Sequence, residues 1–369
     1  MTERQTPRET YGLVGQEAAE AAFLSAWQSG RMPHAWLLTG PEGIGKATLA
    51  FRIARFVLSG GGAIEDSGPS LFGDEPTAAS EGLSIDAETP TAKQIEAGAH
   101  ADLRTMEAGW VNPKTGRASQ QIVVDQVRAA LEVTNLTASG WRVVIIDPAD
   151  AMNVNAANAV LKNLEEPPPK TLFLLVSHAP GRLLPTIRSR CSQLDLKPLA
   201  TDQIVAHLRS LGGLEEGNLE AVAKLSRGSI GKALQLVEGN GFALYEALHR
   251  AASGLPNLDM MSVHALGDLV SRRKADTEDG FPILVNLIVD WLAALVLSGT
   301  KGEVAPEILT GEHALRARLL AEGAPLDRWV EVWEKVGALL NGAERVNLDR
   351  KQVLIQCFSL IAAAAAPAR

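Results

Sequence analysis

Two cysteines, Cys191 and Cys357, are all that the 369 residues contain, too few for a disulfide framework or an obvious structural zinc site. The start, MTERQTPRET, is charged and has no apolar h-region, so no secretory signal is expected. Long hydrophobic runs are also missing, with one near exception at residues 281–297, FPILVNLIVDWLAALVL. At ~1.5 Å per residue that run falls short of a ~30 Å bilayer core, and it holds Asp290 in its middle. It reads as a buried helix of a globular protein, with no membrane partner and the cytoplasm as the expected compartment. Internal repeats and coiled-coil heptads do not occur.

An excess of basic residues is absent too, the formal charge being −8. The distribution says more than the sum. Residues 59–100 hold eight carboxylates (Glu65, Asp66, Asp74, Glu75, Glu81, Asp86, Glu88, Glu96) against Lys93, a net −7, so the rest of the chain is close to neutral. The acidic total therefore says little about what the folded parts bind. With 46% hydrophobic and 21% charged residues the composition is that of a soluble globular protein, and the length calls for two or three domains.

The most informative stretch is residues 158–191, NAVLKNLEEPPPKTLFLLVSHAPGRLLPTIRSRC. A helix is stopped by Pro167, Pro168 and Pro169, which lack an N–H and bar helical geometry for the residue before each. A strand must start afresh, and TLFLLV (171–176) is a short apolar run suited to a central parallel strand. Residues 177–191 are then expected at the carboxyl end of the sheet, where open α/β folds place ligands.

Upstream, residues 13–29 read as an amphipathic helix with Ala22, Phe23, Ala26 and Trp27 on one face. AWLLT (35–39) is a strand running into GPEGIGK and a helix. Gly40, Gly43, Gly45 and Lys46 have the spacing of a phosphate-binding loop, in which backbone N–H groups curl round phosphate oxygens and the lysine neutralises them; an ordinary tight turn is the competing reading. The pattern asks next for a hydroxyl to hold Mg²⁺, and Ala47 stands there. Thr48 follows, turned by roughly 100° around the helix. Residues 59–100 lose periodicity and read as a long mobile insertion with a short helix near Lys93. QIVV (121–124) is expected as a strand, followed by a helix to Leu136, and WRVVIID (141–147) as a strand ending in an acid. Asp147 could hold Mg²⁺ at a strand tip, but Pro148 occupies the place of a second, water-positioning acid. A reading compatible with that one has Asp147 and Asp150 cap the helix expected from Met152 to Glu166.

The segments HAWLLTGPEGIGKATLA (34–50), WRVVIIDPADAMNVNAANAVLKNLEEPPPKTLFLLVSHAP (141–180) and LLPTIRSRC (183–191) resemble the AAA+ clamp-loader family over residues 11–240. Leu-Glu-Glu-Pro-Pro followed by Ser-Arg-Cys is the specific part. The resemblance implies an α/β fold, with a parallel five-stranded sheet flanked by helices over 1–198, a small helical lid domain over 199–250 and an all-α collar domain over 251–369. It places Arg190 where the family's arginine reaches the ATP of a neighbouring subunit; a surface arginine is the alternative, and Arg188 is the confounder. A planar cation that never deprotonates suits phosphate charge in trans. Lys232 falls where the lid carries a nucleotide-sensing basic residue, or is an exposed lysine at a helix start.

Ala47 and Pro148 depart from the family's active ATPases, and losing such a group costs ~10²–10⁴-fold in rate. Some members carry a four-cysteine zinc module after the first core helix; here no cysteines stand in that place, so no zinc is implied. The function implied is a non-hydrolysing, stator-like subunit of the bacterial DNA polymerase III clamp loader. Its partners would be motor ATPase subunits and a delta-type subunit in a hetero-pentamer, with the sliding clamp and primed DNA met through the complex. ATP or ADP bound without hydrolysis stays open. The competing readings are an ATP-hydrolysing motor subunit or branch-migration helicase, which Ala47 and Pro148 oppose, and a nucleotide-binding regulator outside replication. The stripe Trp329, Trp333, Val336 and Leu340 follows a helical period and reads as bundle packing.

Overall fold

Two strands that read as continuous apolar runs form the middle of the sheet. In the computed structural model, which describes residues 6–61, 82–111, 116, 118–132, 140–212, 215–271, 279–301, 306–345 and 348–367, the chain divides into two compact units, Met1–Leu199 and Ala200–Arg369.

The first unit runs α1 (Glu17–Gln28), β1 (Ala35–Thr39), α2 (Lys46–Leu58), α3 (Pro90–Glu96), β2 (Leu103–Glu107), α4 (Val124–Glu132), β3 (Arg142–Asp147), α5 (Val154–Glu165), β4 (Thr171–Ser177), α6 (Pro185–Arg188) and β5 (Ser192–Asp195). Its five strands are parallel in the order β2-β3-β4-β1-β5. Every residue of β1 and of β4 is buried, because both faces are covered. Successive side chains leave a strand on opposite faces, and two cores result. Trp36, Leu38, Leu172, Leu174 and Val176 pack with Phe23 of α1 and Leu49, Ile53 and Phe56 of α2. Leu37, Phe173, Leu175, Val144 and Ile146 pack with Val127 of α4 and Val160 and Leu164 of α5. Burial of each such side chain contributes about 1.5–3 kcal/mol, so the two cores fix which helix covers which face.

Two expectations are corrected. QIVV is not a strand: Ile122 makes one isolated bridge with Met152, and Val124 already starts α4. The fifth strand is Leu103–Glu107, an edge strand with only Leu103 and Met106 buried. Paired on one side only, it needs no continuous apolar run. Secondly, the insertion expected over 59–100 is not all loose chain. Residues 62–81 lie outside the described residues, but Leu83, Ala92 and Ile95 are buried, Leu83 and Ile95 in the α1–α2 core with Ile85 against it. The short helix expected near Lys93 is α3, capped by Thr89 and begun by Pro90. Scattered apolar residues were enough to seat this stretch.

All the regular secondary structure described in the second unit is helical: α7 (Thr201–Leu211), α8 (Glu216–Leu225), α9 (Ile230–Glu238), α10 (Gly241–Ser253), α11 (Met260–Ser271), α12 (Gly280–Lys301), α13 (Glu312–Glu322), α14 (Leu326–Arg345) and α15 (Arg350–Ala365). The apolar run lies within α12, which extends past it to 22 residues and is thereby long and apolar enough to cross a membrane by length and composition. Here it packs against α10, α11, α13 and α14, and Phe281, Leu284, Ile288, Leu292 and Leu295 are buried. Trp329, Val336 and Leu340 of α14 are buried, with Trp333 half-buried beside them.

Candidate functional site

The glycine loop joins β1 to α2. Gly40 has φ +137, and a Cβ there would lie 2.6 Å from the Leu196 carbonyl oxygen, so only glycine fits. Gly43 and Gly45 also have positive φ, +75 and +100, which turns the chain into α2. Lys46 is the first residue of that helix and is only 3% exposed. Its ammonium turns back on its own loop, donating to Gly40 O at 2.7 Å and Pro41 O at 2.5 Å. Burial brings its pKa down to about 8, against the pull of Asp147. Gln16 braces the loop from below: Nε2 donates to Lys197 O at 2.8 Å and to Ile44 O at 3.4 Å, and Lys197 N donates to its Oε1 at 3.3 Å.

Asp147 ends β3, opposite Glu107 at the end of β2. Burial first, and Glu107 second, push its carboxyl up to about 6. Asp150 Oδ2 accepts from His178 N at 2.9 Å and Ala179 N at 3.1 Å, holding the turn after β4. The cap of α5 is Asn153, whose Oδ1 accepts from Ala156 N, which corrects the capping reading of the two acids. Ser177, the last residue of β4, is fully buried with its Oγ lacking a hydrogen-bond partner among the described residues. It sits between the tips of β1 and β3, a placement the apolar run before it did not reveal.

These residues do not fit a working Mg²⁺ site. Mg²⁺ takes near-octahedral oxygen ligation from one or two carboxylates plus phosphates. Asp147 is the one acid at the strand tip, with Pro148 beside it; Ala47 offers a methyl where a hydroxyl is needed, and Thr48 is one position further round α2. Among the described residues no group of three or more His, Cys, Asp and Glu is placed to hold a metal ion.

Arg190 lies elsewhere, and this corrects the expected placement. Residues 177–184 are at the carboxyl end of the sheet, but α6, anchored by buried Ile187, carries the chain back before β5 starts. Ser192 pairs with Trp36 and Asp195 with Thr39. Arg190 therefore enters β5 at the amino end of the strands, and the glycine loop leaves β1 at the other. The five residues of β1 put about 15 Å of strand between the two edges. The guanidinium, whose side chain is 34% exposed, pairs with Glu165 Oε1 at 2.7 Å and donates to Thr186 O at 2.9 Å. Arg188 is half-buried, its Nε without a partner among the described residues. Cys191 is half-buried, and burial raises its thiol to about 11, which keeps it unreactive.

Residues 15–200, half of the chain, match the family described as DNA polymerase III, delta subunit. Over 282 residues the chain is 30% identical to the DNA polymerase III subunit delta' of Escherichia coli K12, covering 76% of this chain and 73% of that one. The chain belongs to this delta-subunit family. It is also 43% identical to the subunit delta' of Pseudomonas aeruginosa over 162 residues, 43% of this chain and 42% of that relative, so that match spans less than half of the relative's length. The subunit tau of Bacillus subtilis is 28% identical over 239 residues, 63% of this chain and 38% of tau.

In this delta-family chain Lys232 belongs to the helical unit. Its backbone N–H is capped by Ser229 Oγ at the start of α9, and its ammonium pairs with Asp290 Oδ2. Arg227 joins them, with Nη1 3.2 Å from Asp290 Oδ1 and Nη2 donating to Asp290 O at 2.9 Å. The one acid in the apolar run of α12 is thus the partner of two cations. Nothing in the sequence joins Lys232 to Asp290, which lie 58 residues apart.

Proposed function

We propose that this chain is a non-hydrolysing, stator-like subunit of a DNA polymerase III clamp loader, which supplies Arg190 to the ATP of a neighbouring subunit. The observation that carries the reading is the position of Arg190 on the amino edge of the sheet, away from its own glycine loop. An arginine there cannot serve the phosphates of its own chain, and its partly exposed guanidinium is available to another. The loop itself lacks what hydrolysis requires, with Ala47 in place of the hydroxyl and Pro148 in place of the acid. ATP or ADP at the loop would have to displace the Gly40 and Pro41 carbonyls from Lys46.

On this reading the partners are motor ATPase subunits and a delta-type subunit in a hetero-pentamer, and the sliding clamp and primed DNA are met through that complex, in the cytoplasm. Residues 199–250 serve as a lid domain and 251–369 as the collar. The lid reading gives Lys232 a nucleotide-facing role, whereas its pairing with Asp290 favours a role inside the helical unit. The test is ATP hydrolysis by the isolated chain beside that of the reconstituted complex. No turnover alone, with DNA-stimulated turnover in the complex, is the expected result; robust turnover by the isolated chain would make it a motor ATPase.

A further inference from the structure

Arg190 does not hang free, and the residue that holds it breaks a local rule. Prolines 167–169 stop α5 so that Glu165 is its last residue and Glu166 its C-cap. Two acids at a helix C-terminus face the negative end of the helix dipole, where cations are favoured. Such a conflict between local preference and structure marks a position with another task. Glu165 meets Arg190 Nη2 at 2.7 Å, while Nη1 donates to Thr186 O at 2.9 Å in the last turn of α6. The anchors thus come from two separate elements and grip the two terminal nitrogens, which fixes the plane of the guanidinium. They use two of its five N–H groups.

We infer that Glu165 is the positioning residue of Arg190, holding the guanidinium plane ready for a phosphate in trans. The inference rests on the trans-acting role proposed above for Arg190. On this assignment Glu165 acts through the arginine it holds, its Oε1 lying 2.7 Å from Arg190 Nη2. Its side chain is half-exposed, and its substitution leaves the cores untouched.

The experiment uses the reconstituted clamp-loader complex carrying Glu165→Ala, Glu165→Gln, Arg190→Ala or Glu165→Ala with Arg190→Ala. The readouts are kcat and the KM for ATP in DNA-stimulated hydrolysis. Glu165→Ala is expected to lower kcat about two- to fivefold, the scale of a partly exposed ion pair, with KM unchanged. Glu165→Gln, which keeps an acceptor oxygen, is expected to restore most of the rate. Adding Glu165→Ala to Arg190→Ala is expected to change nothing further. A normal kcat in Glu165→Ala beside a slow Arg190→Ala overturns the positioning role and leaves the arginine's role standing, as does a further loss in the double variant. A normal rate in Arg190→Ala overturns the reading of Arg190 and this inference with it.

Discussion

The two edges of one sheet have been treated oppositely. At the carboxyl edge the glycine loop keeps its backbone form, but its lysine is buried and turned onto its own carbonyls, and its aspartate is held as a reluctant carboxylate. At the amino edge Arg190 is partly exposed and gripped by Glu165 and Thr186. A charge that is buried is withdrawn from any partner, whereas one that is oriented and solvent-accessible can serve one. On the function proposed above, the glycine loop keeps its letters without its chemistry, and the group that serves a partner sits across the sheet from it.

The comparison would break most visibly at Arg190. In the assembled complex Arg190→Ala should lower DNA-stimulated ATP hydrolysis at least about tenfold; arginine fingers contribute ~10³–10⁵-fold at a single site, and other interfaces in a multi-site motor reduce the observed loss. Arg190→Lys should rescue poorly because it lacks the planar fork, and Arg188→Ala should stay near wild type. Equal losses from the Arg188 and Arg190 variants, measured as steady-state rates with assembly checked by gel filtration, would remove the contrast between the edges.

A medium effect is expected at Asp147, on stability rather than rate. Its folded pKa, about 6, stands above the ordinary 3.8. Between those values the folded chain binds more protons than the unfolded one, so stability falls as pH rises through the window. Below 3.8 the carboxyl is neutral in both states and the penalty vanishes. Asp147→Asn should lack this slope and gain on wild type by on the order of 1–3 kcal/mol between pH 4 and pH 7, read from denaturant midpoints at each pH. Parallel pH profiles for the two proteins would contradict the burial of this charge. Lys46 works in the other direction: its folded pKa of about 8 lies below 10.5, so its buried charge weighs on stability below pH 8 and is relieved as pH rises toward 10.5.

The smallest effect is reserved for Lys46 and turnover. Lys46→Ala in the complex should change ATP hydrolysis by less than about twofold, because the loop it serves lacks the hydroxyl and the second acid. A loss above tenfold would mean that the carboxyl edge still fires.

Much of the sheet was legible in residues alone. TLFLLV and AWLLT are apolar on both faces because they lie in the middle of a covered sheet, and their neighbours' prolines and glycines mark the ends. LRTME was not legible, because an edge strand buries only Leu103 and Met106 and leaves Arg104 and Thr105 half-covered. QIVV misled for the opposite reason: Ile122 is buried by its contact at Met152 without belonging to a ladder. Leu83, Ile85 and Ile95 are too widely spaced among acids and small residues to show a period, yet each finds the core.

By itself the sequence determined what depends on neighbours along the chain: where prolines stop α5, where glycines permit the loop, which catalytic groups are missing, and that Ser-Arg-Cys follows Leu-Glu-Glu-Pro-Pro. Tertiary structure alone decided what depends on distance. The turn of α6 moved Arg190 to the amino edge; folding brought Glu165 to it across 25 residues and Asp290 to Lys232 across 58. The pKa values of Lys46 and Asp147 were set likewise, since burial is a property of everything packed around a group. Local geometry is written residue by residue, but charge pairing, solvent exclusion and the edge on which a side chain emerges arise only when remote segments share one core.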